Sequence, residues 1–343
     1  MKSTTWPTFG DTTTATEVAD AFSDQIRGKN VLLVGVSPNS LGEHIALAIS
    51  RHSPSLVILA SRTASKINQV IDSIHASKPS CLVKSLTLDL SSQSSIRSAA
   101  KELNALTQKL DIIINNAALN VPDYETTQEG IEMHFGTNHI GLFLLTNLVL
   151  PSVLSAVSSS AVPGSTRIVN MTSAGHRLSP IRFSDYNFRK VASELPMEER
   201  PPEGLPKALT DPERPYSPFV AYGQSKTGNI LFSVSLTEAL GGRGVRSFSV
   251  HPGSIWTGLA RNLDEQGQAL IKATGKVWKT GDQGAATAVV AAFDPKLNDV
   301  LGGYLADCQL APAAEFATDP KIAERLWDLS EELVGEKFDL GGK

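Results

Sequence analysis

The chain has 343 residues, 41% of them hydrophobic and 19% charged, a composition that excludes a disordered polymer and bounds one large domain or two small ones. A formal charge of −4 argues against an electrostatic nucleic-acid binder, and two cysteines, Cys81 and Cys308, exclude a disulfide framework or a cysteine zinc site and fit a reducing, cytoplasmic setting. The most apolar stretch, 140–150, falls short of the ~20 residues that span a bilayer, so no membrane span is expected.

Thr14 and Glu17 have capping-box spacing, with Val18, Phe22 and Ile26 following at helical intervals, so residues 1–28 read as a helical extension. From there apolar runs alternate with helical patterns. Strands are expected at 31–35, 55–60, 82–88, 110–114, 167–171, 247–250 and 303–306. Helices are expected at 45–49, 67–74, 96–106, 131–150 and 220–240, with a C-terminal helix over 320–338. Such alternation predicts an α/β fold, a doubly wound, mostly parallel Rossmann-type sheet in a single domain, 29–343. One stretch, 177–219, breaks the rhythm. Seven prolines between Pro196 and Pro218 punctuate it, and it reads as a lid over a substrate pocket or as a tolerated surface insertion.

The first strand runs into Gly35-Val-Ser37-Pro-Asn39-Ser40-Leu41-Gly42 and then a helix. A glycine-bounded turn of this kind lets backbone N–H groups and a helix N-terminus approach a pyrophosphate. The second strand ends at Ser61-Arg62, where an NAD site would place a carboxylate on the ribose 2′-hydroxyl. An arginine there pairs a 2′-phosphate instead, so the expected cofactor is NADP(H). Three polar groups then interrupt apolar runs: Asn115-Asn116, Ser173, and Tyr222 with Lys226. The i, i+4 spacing of the last pair puts phenol and ammonium on one helix face, and a cation beside a phenol is expected to lower its pKa. The seven histidines show no metal-ligand spacing, and no metal is expected. His134, His139 and His251 read as structural or as pocket rim; His176 reads as structural, with contact to a substrate as the alternative.

Over 29–308 this chain resembles the short-chain dehydrogenase/reductase family. The likeness rests on the loop 35–42, Asp89-Leu90, Asn115-Asn116-Ala117-Ala118, Asn138, Ser173, Tyr222-x-x-x-Lys226 and Pro252-Gly253-Ser-Ile255-Trp-Thr257. Tyr222-Gly-Gln-Ser-Lys-Thr-Gly-Asn and the late Gly303-Tyr-Leu-Ala-Asp-Cys308 are similar to the retinol-dehydrogenase-like and WW-domain-oxidoreductase-like branch, and the loop 35–42 to members from filamentous fungi in secondary metabolism. The resemblance implies a tetrad. Tyr222 would protonate a carbonyl oxygen, Ser173 would polarise it, Lys226 would hold the nicotinamide ribose, and Asn138 would anchor a relay water. It places Asp89, Leu90, Asn116, Ala117 and Ala118 near the adenosine, and Pro252, Gly253, Ile255 and Thr257 near the carboxamide. Ser40 departs from the pattern by standing where the family has a glycine, and the Ser173–Tyr222 gap is widened by the insertion.

The activity expected is NADP(H)-dependent hydride transfer to or from a bulky apolar carbonyl or alcohol. A non-redox epimerase, dehydratase or cyclase, or a non-catalytic NADP(H)-binding protein, are the alternatives. Family members are often dimers or tetramers built on the helices that here hold Asn138 and Lys226, while others are monomers, so a homo-oligomer stays open.

Overall fold

The computed structural model describes residues 3–255, 268–269, 272 and 277–340. The apolar runs become β1 (Asn30–Val34), β2 (Leu56–Ser61), β3 (Val83–Thr87), β4 (Ile112–Asn115), β5 (Thr166–Met171) and β6 (Val245–His251). Two short strands, β7 (Ser254–Ile255) and β8 (Trp278–Lys279), form a separate ribbon, and β9 (Gly302–Ala306) and β10 (Gln309–Leu310) complete the main sheet. Its order is β10-β9-β6-β5-β4-β1-β2-β3, parallel throughout except for the β9–β10 hairpin. The order reverses between β1 and β4, and open α/β sheets take their ligands outside the carboxyl ends of the strands at such a point.

The helices are α1 (Ala15–Ala21), α2 (Ser23–Ile26), α3 (Leu41–Ser50), α4 (Ala64–Ser77), α5 (Gln93–Leu106), α6 (Met133–Phe135), α7 (Gly141–Ser159), α8 (Lys207–Thr210), α9 (Pro218–Leu240), α10 (Gly281–Phe293) and α11 (Pro320–Val334). Period-two alternation along the strands divides them into two layers. Val31 and Leu33 pack with α1, α3, α4 and α10, whereas Leu32 and Val34 face α5, α7, α9 and α11.

Three boundaries differ from the sequence reading. The N-terminal helix breaks at Phe22, whose non-helical φ of −110° separates α1 from α2. The C-terminal helix stops at Val334 because Gly335 turns left-handed, at φ +66°. The long apolar helix extends to Ser159 and contains a π-helical turn, Gly136–Ile140. Met133–Ser159 is long and apolar enough to cross a membrane by composition, but 72% of its apolar window is buried inside the protein. It is a core helix.

The insertion is ordered by polar anchors. Arg182 is buried against Asp185, its guanidinium donates to the carbonyl oxygens of Lys190 (2.6 Å) and Pro215 (3.3 Å), and it lies 4.2 Å over the Phe188 ring. The buried Glu199 carboxylate accepts from the backbone and hydroxyl of Ser184. At the other end of the chain, Thr5 N–H donates to Asp294 (2.7 Å), and the Gln309 amide donates to the carbonyls of Trp6 and Phe9.

Candidate active site

The loop after β1 and the strand end at β4 meet at the switch point. Gly35 has φ +94°, and a Cβ on it would sit 2.4 Å from Ala117 Cα; a Cβ on Gly42 would sit 2.3 Å from Gly35 O. Only glycine fits at either position, because the loop backbone packs directly on Ala117 and on itself. Ser40 caps α3: its Oγ accepts from Glu43 N (3.3 Å) and Ser37 N (3.2 Å) and donates to Ser37 O (2.6 Å). The departure from glycine thus exchanges backbone freedom for a helix cap. Asn39 takes the left-handed turn at φ +59°, with its N–H on the Glu43 carboxylate. Asn116 Nδ2 donates to Gly35 O (2.6 Å) and ties the two strand ends together.

Ser61 ends β2, and Arg62 beyond it is exposed. The Asp89 carboxylate accepts from the backbone and hydroxyl of Ser91, and Leu90 is buried with its carbonyl against Gly141. Gly253, at φ +88°, turns the chain after β6 against the Lys279 stem, and the Ile255 side chain packs against Gly284. Thr257 lies outside the described residues.

Ser173 follows β5, while Tyr222 and Lys226 face it from α9. A hydrogen bond from Ser173 pulls the Tyr222 pKa down, but burial dominates and pushes it up to about 12. Lys226 Nζ donates to Met171 O (3.1 Å) and lies 5.5 Å from the Tyr222 ring centroid. Burial pulls its pKa down to about 7. The expected lowering of the phenol by the ammonium is therefore not found in the protein alone. Desolvation holds both groups toward their neutral forms, and a half-charged lysine offers the phenol little.

Asn138 sits on the π turn. Its Oδ1 accepts from Leu119 N (2.8 Å), and its Nδ2 donates to Leu119 O (3.1 Å) and Ser225 Oγ (3.1 Å). His176 does not face the pocket. Ala314 N–H donates to its Nε2 (3.1 Å), so the ring proton is on Nδ1, 2.6 Å from Ser173 O. Burial lowers its pKa to about 4 and keeps it neutral. It staples Ser173 to the segment after β10.

Sequence reasoning missed a polar chain behind the pair. Asn115 Nδ2 donates to Asn170 Oδ1 (2.8 Å), Asn170 Nδ2 to Ser233 Oγ (2.8 Å), and Asn229 Nδ2 to Met171 O (3.0 Å). The amide side chain interrupting the apolar run of β5 was the available signal. Among the described residues no group of acids, histidines and cysteines could hold a metal.

The residues fit a nicotinamide dinucleotide at the buried Lys226, whose ammonium makes one hydrogen bond among the described residues, leaving donors for a bound hydroxyl.

The short chain dehydrogenase family profile matches residues 29–198. A Brassica napus chloroplastic short-chain dehydrogenase, TIC 32 A, is 38% identical over 81% of this chain and 80% of its own. The oxidoreductase fscI of Fusarium equiseti is 36% identical over 72% and 95% of the two chains, and mouse retinol dehydrogenase 12 is 32% identical over 92% and 89%. Among solved structures, an uncharacterised protein from Mycobacterium paratuberculosis superposes with a TM-score of 0.66 at 28% identity, covering 92% of this chain and 96% of that one. The Pseudomonas aeruginosa RhlG/NADP complex shares the fold with a TM-score of 0.59 at 21% identity, covering 81% and 94%.

Proposed function

We propose, on the premise that the chain belongs to the short-chain dehydrogenase family, that it is an NADP(H)-dependent oxidoreductase acting on the carbonyl or alcohol carbon of a bulky apolar small molecule. The observation that carries this reading is the juxtaposition of Ser173 and Tyr222, whose side chains both come within 3.5 Å of a Cβ built on Gly175, backed by the buried Lys226 5.5 Å from the Tyr222 ring centroid. NADP(H), when bound, supplies or accepts the hydride. Ser37, Asn39, Ser40 and Leu41 at the start of α3 would lie against the pyrophosphate, the N–H groups of Ser37 and Asn39 first giving up Ser40 Oγ and the Glu43 carboxylate. Ser61 and Arg62 would hold the 2′-phosphate, and no carboxylate stands there to repel it. Asp89 and Leu90 would flank the adenine, Asn116 to Ala118 its ribose, and Pro252, Gly253, Ile255 and Thr257 the carboxamide.

Tyr222 held at a pKa of about 12 is protonated at neutral pH, the form that donates a proton to a carbonyl oxygen. Ser173 Oγ donates to the same oxygen and stabilises the negative charge that develops on it. Lys226 holds the ribose hydroxyls, and with a pKa near neutrality it can pass a proton toward Tyr222 Oη. The Asn138 side chain is spent on Leu119 and Ser225, so a relay water would bond its backbone oxygen. This balance favours the reductive direction.

The relatives named for retinol suggest a bulky apolar substrate, and the likeness of loop 35–42 to fungal members suggests a ketone or aldehyde reductase of secondary metabolism. Two free, buried cysteines suit a reducing cytoplasm. The test is NADPH oxidation against a panel of aromatic and isoprenoid aldehydes and ketones. Deuterium from labelled cofactor should appear on the product carbinol carbon. NADPH binding with no oxidation across the panel would overturn the reading.

A further inference from the structure

At the N-cap and the middle of α6, one turn before Asn138, the chain buries an acid and a base that the reaction above does not use. Glu132 and His134 are both fully buried, with Glu132 Oε1 2.7 Å from His134 Nδ1. Their neighbours fix the ring on both sides. Val121 N–H donates to His134 Nε2 (3.1 Å), the Asn120 side-chain amide lies 3.2 Å from the same nitrogen, and Nδ1 bonds Glu132. Glu132 also accepts from the backbone N–H groups of His134 (3.0 Å) and Phe135 (2.8 Å), which compensates a carboxylate in the interior.

Three parts of the molecule converge on this pair. The His134 ring stands edge-on to the catalytic-site phenol, with centroids of His134 and Tyr222 6.1 Å apart at 85°. On another side, Val121 belongs to the segment that continues β4 past Leu119, the residue Asn138 clamps. The third contact is the insertion: Glu132 N–H donates to Asn187 Oδ1 (2.7 Å), and Tyr216 Oη lies 3.4 Å from His134 Nδ1 and donates to Asp123 O (3.3 Å).

We propose that Glu132 and His134 are a positioning pair that couples the insertion to the reaction site, fixing the 119–121 wall and the Tyr222 ring in one register. The seating of the insertion at Asn187 and Tyr216 then determines whether Tyr222 and the wall opposite it stand at the distance the substrate needs. Nothing in this role requires His134 to touch substrate or cofactor.

The proposal rests on the reductase reading for its kinetic consequence but not for its structural one, and the test separates them. His134→Leu keeps the bulk and loses the ring's hydrogen bonds; His134→Gln keeps an acceptor for Val121 N–H. Amide hydrogen exchange, followed by mass spectrometry on the full chain, should rise at least tenfold in 119–124 and in 184–191 for His134→Leu, stay flat in 225–240, and return near wild type in His134→Gln. Tyr216→Phe should raise exchange in 119–124 to a smaller degree. With NADPH and 9,10-phenanthrenequinone as probe, His134→Leu should lower kcat about tenfold or more while the NADPH Kd stays within about threefold, and His134→Gln should recover most of kcat. If wild type binds NADPH but does not reduce the quinone or any other carbonyl, the reductase reading fails, and the exchange data alone decide the coupling. Unchanged exchange in both segments, glutamine behaving as leucine, or loss of kcat only in step with NADPH affinity would overturn it.

Discussion

At Lys226, burial and charge pull in opposite directions. In the unfolded chain its pKa is the ordinary 10.5, and in the folded protein it is about 7, so between these values the unfolded state holds the extra proton. Stability should therefore rise as pH climbs from about 7 toward 10.5, because the burial penalty on the ammonium is present in full below 7 and is relieved above it. Urea unfolding of the cofactor-free protein from neutral to mildly alkaline pH should show this slope, and Lys226→Met should flatten it. Arg62 differs in being exposed, and its worth lies in what it binds. Arg62→Ala should weaken NADPH binding about 10- to 100-fold, the loss of a charge-assisted contact of ~1.5–3 kcal/mol, and leave NADH nearly unchanged in a fluorescence titration. The tyrosine and lysine were legible because a fixed i, i+4 spacing follows from helix geometry alone. Their titration was not, since it depends on how much water the fold removes, which no local spacing records. His176 was ambiguous for a related reason. Its partners, Ser173 O and Ala314 N, become neighbours only when β5 and the segment after β10 meet.

Among the elements, those with a period were readable and those held by polar contacts were not. The alternating strand faces and the leucine, isoleucine and valine spacings of α4 and α5 can be read directly from residues 31–34, 67–74 and 96–103. Residues 180–218 carry no such period, yet they are ordered around Arg182, whose guanidinium joins Asp185, Lys190 O and Pro215 O. Removing one partner from a buried ion pair costs about 3–5 kcal/mol. Confined to an insertion, that cost appears as local opening. Arg182→Ala should therefore admit trypsin at Arg189, Lys190 or Lys207 under conditions where wild type is cut slowly, while the thermal midpoint of the remaining sheet shifts little. A π turn is likewise invisible in sequence. One extra residue at 136–140 leaves the apolar pattern intact while turning Asn138 toward Leu119 and Ser225.

For the whole molecule, the doubly wound architecture followed from alternation and handedness, and the switch point between β1 and β4 brings Gly35 and Asn116 together. β9 was legible at 303–306, but its two-residue partner β10 was too short to show a period, and the strap at 4–9 was hidden because its contacts join opposite ends of the chain. Asp294, fully buried, takes the Thr5 N–H and lies near the buried Arg167, whose guanidinium donates to Asp294 O. Asp294→Ala should lower unfolding stability by about 1–3 kcal/mol, by leaving the backbone N–H groups of Thr5 and Lys296 without their acceptor. Hydrogen exchange at residues 5–9 should rise with it.

The strap also bears on synthesis. Thr4 bonds a residue 305 positions later, Thr5 one 289 later and Thr16 one 266 later. During synthesis these bonds of residues 4–16 therefore wait for Asp282, Asp294 and Gln309, more than 260 residues further along the chain. Until then α1 has its packing on α3 but not its polar fastenings, and β9 and β10 at the far edge of the sheet are still missing. The segment from Asp282 to Gln309 is what locks residues 4–16 in place.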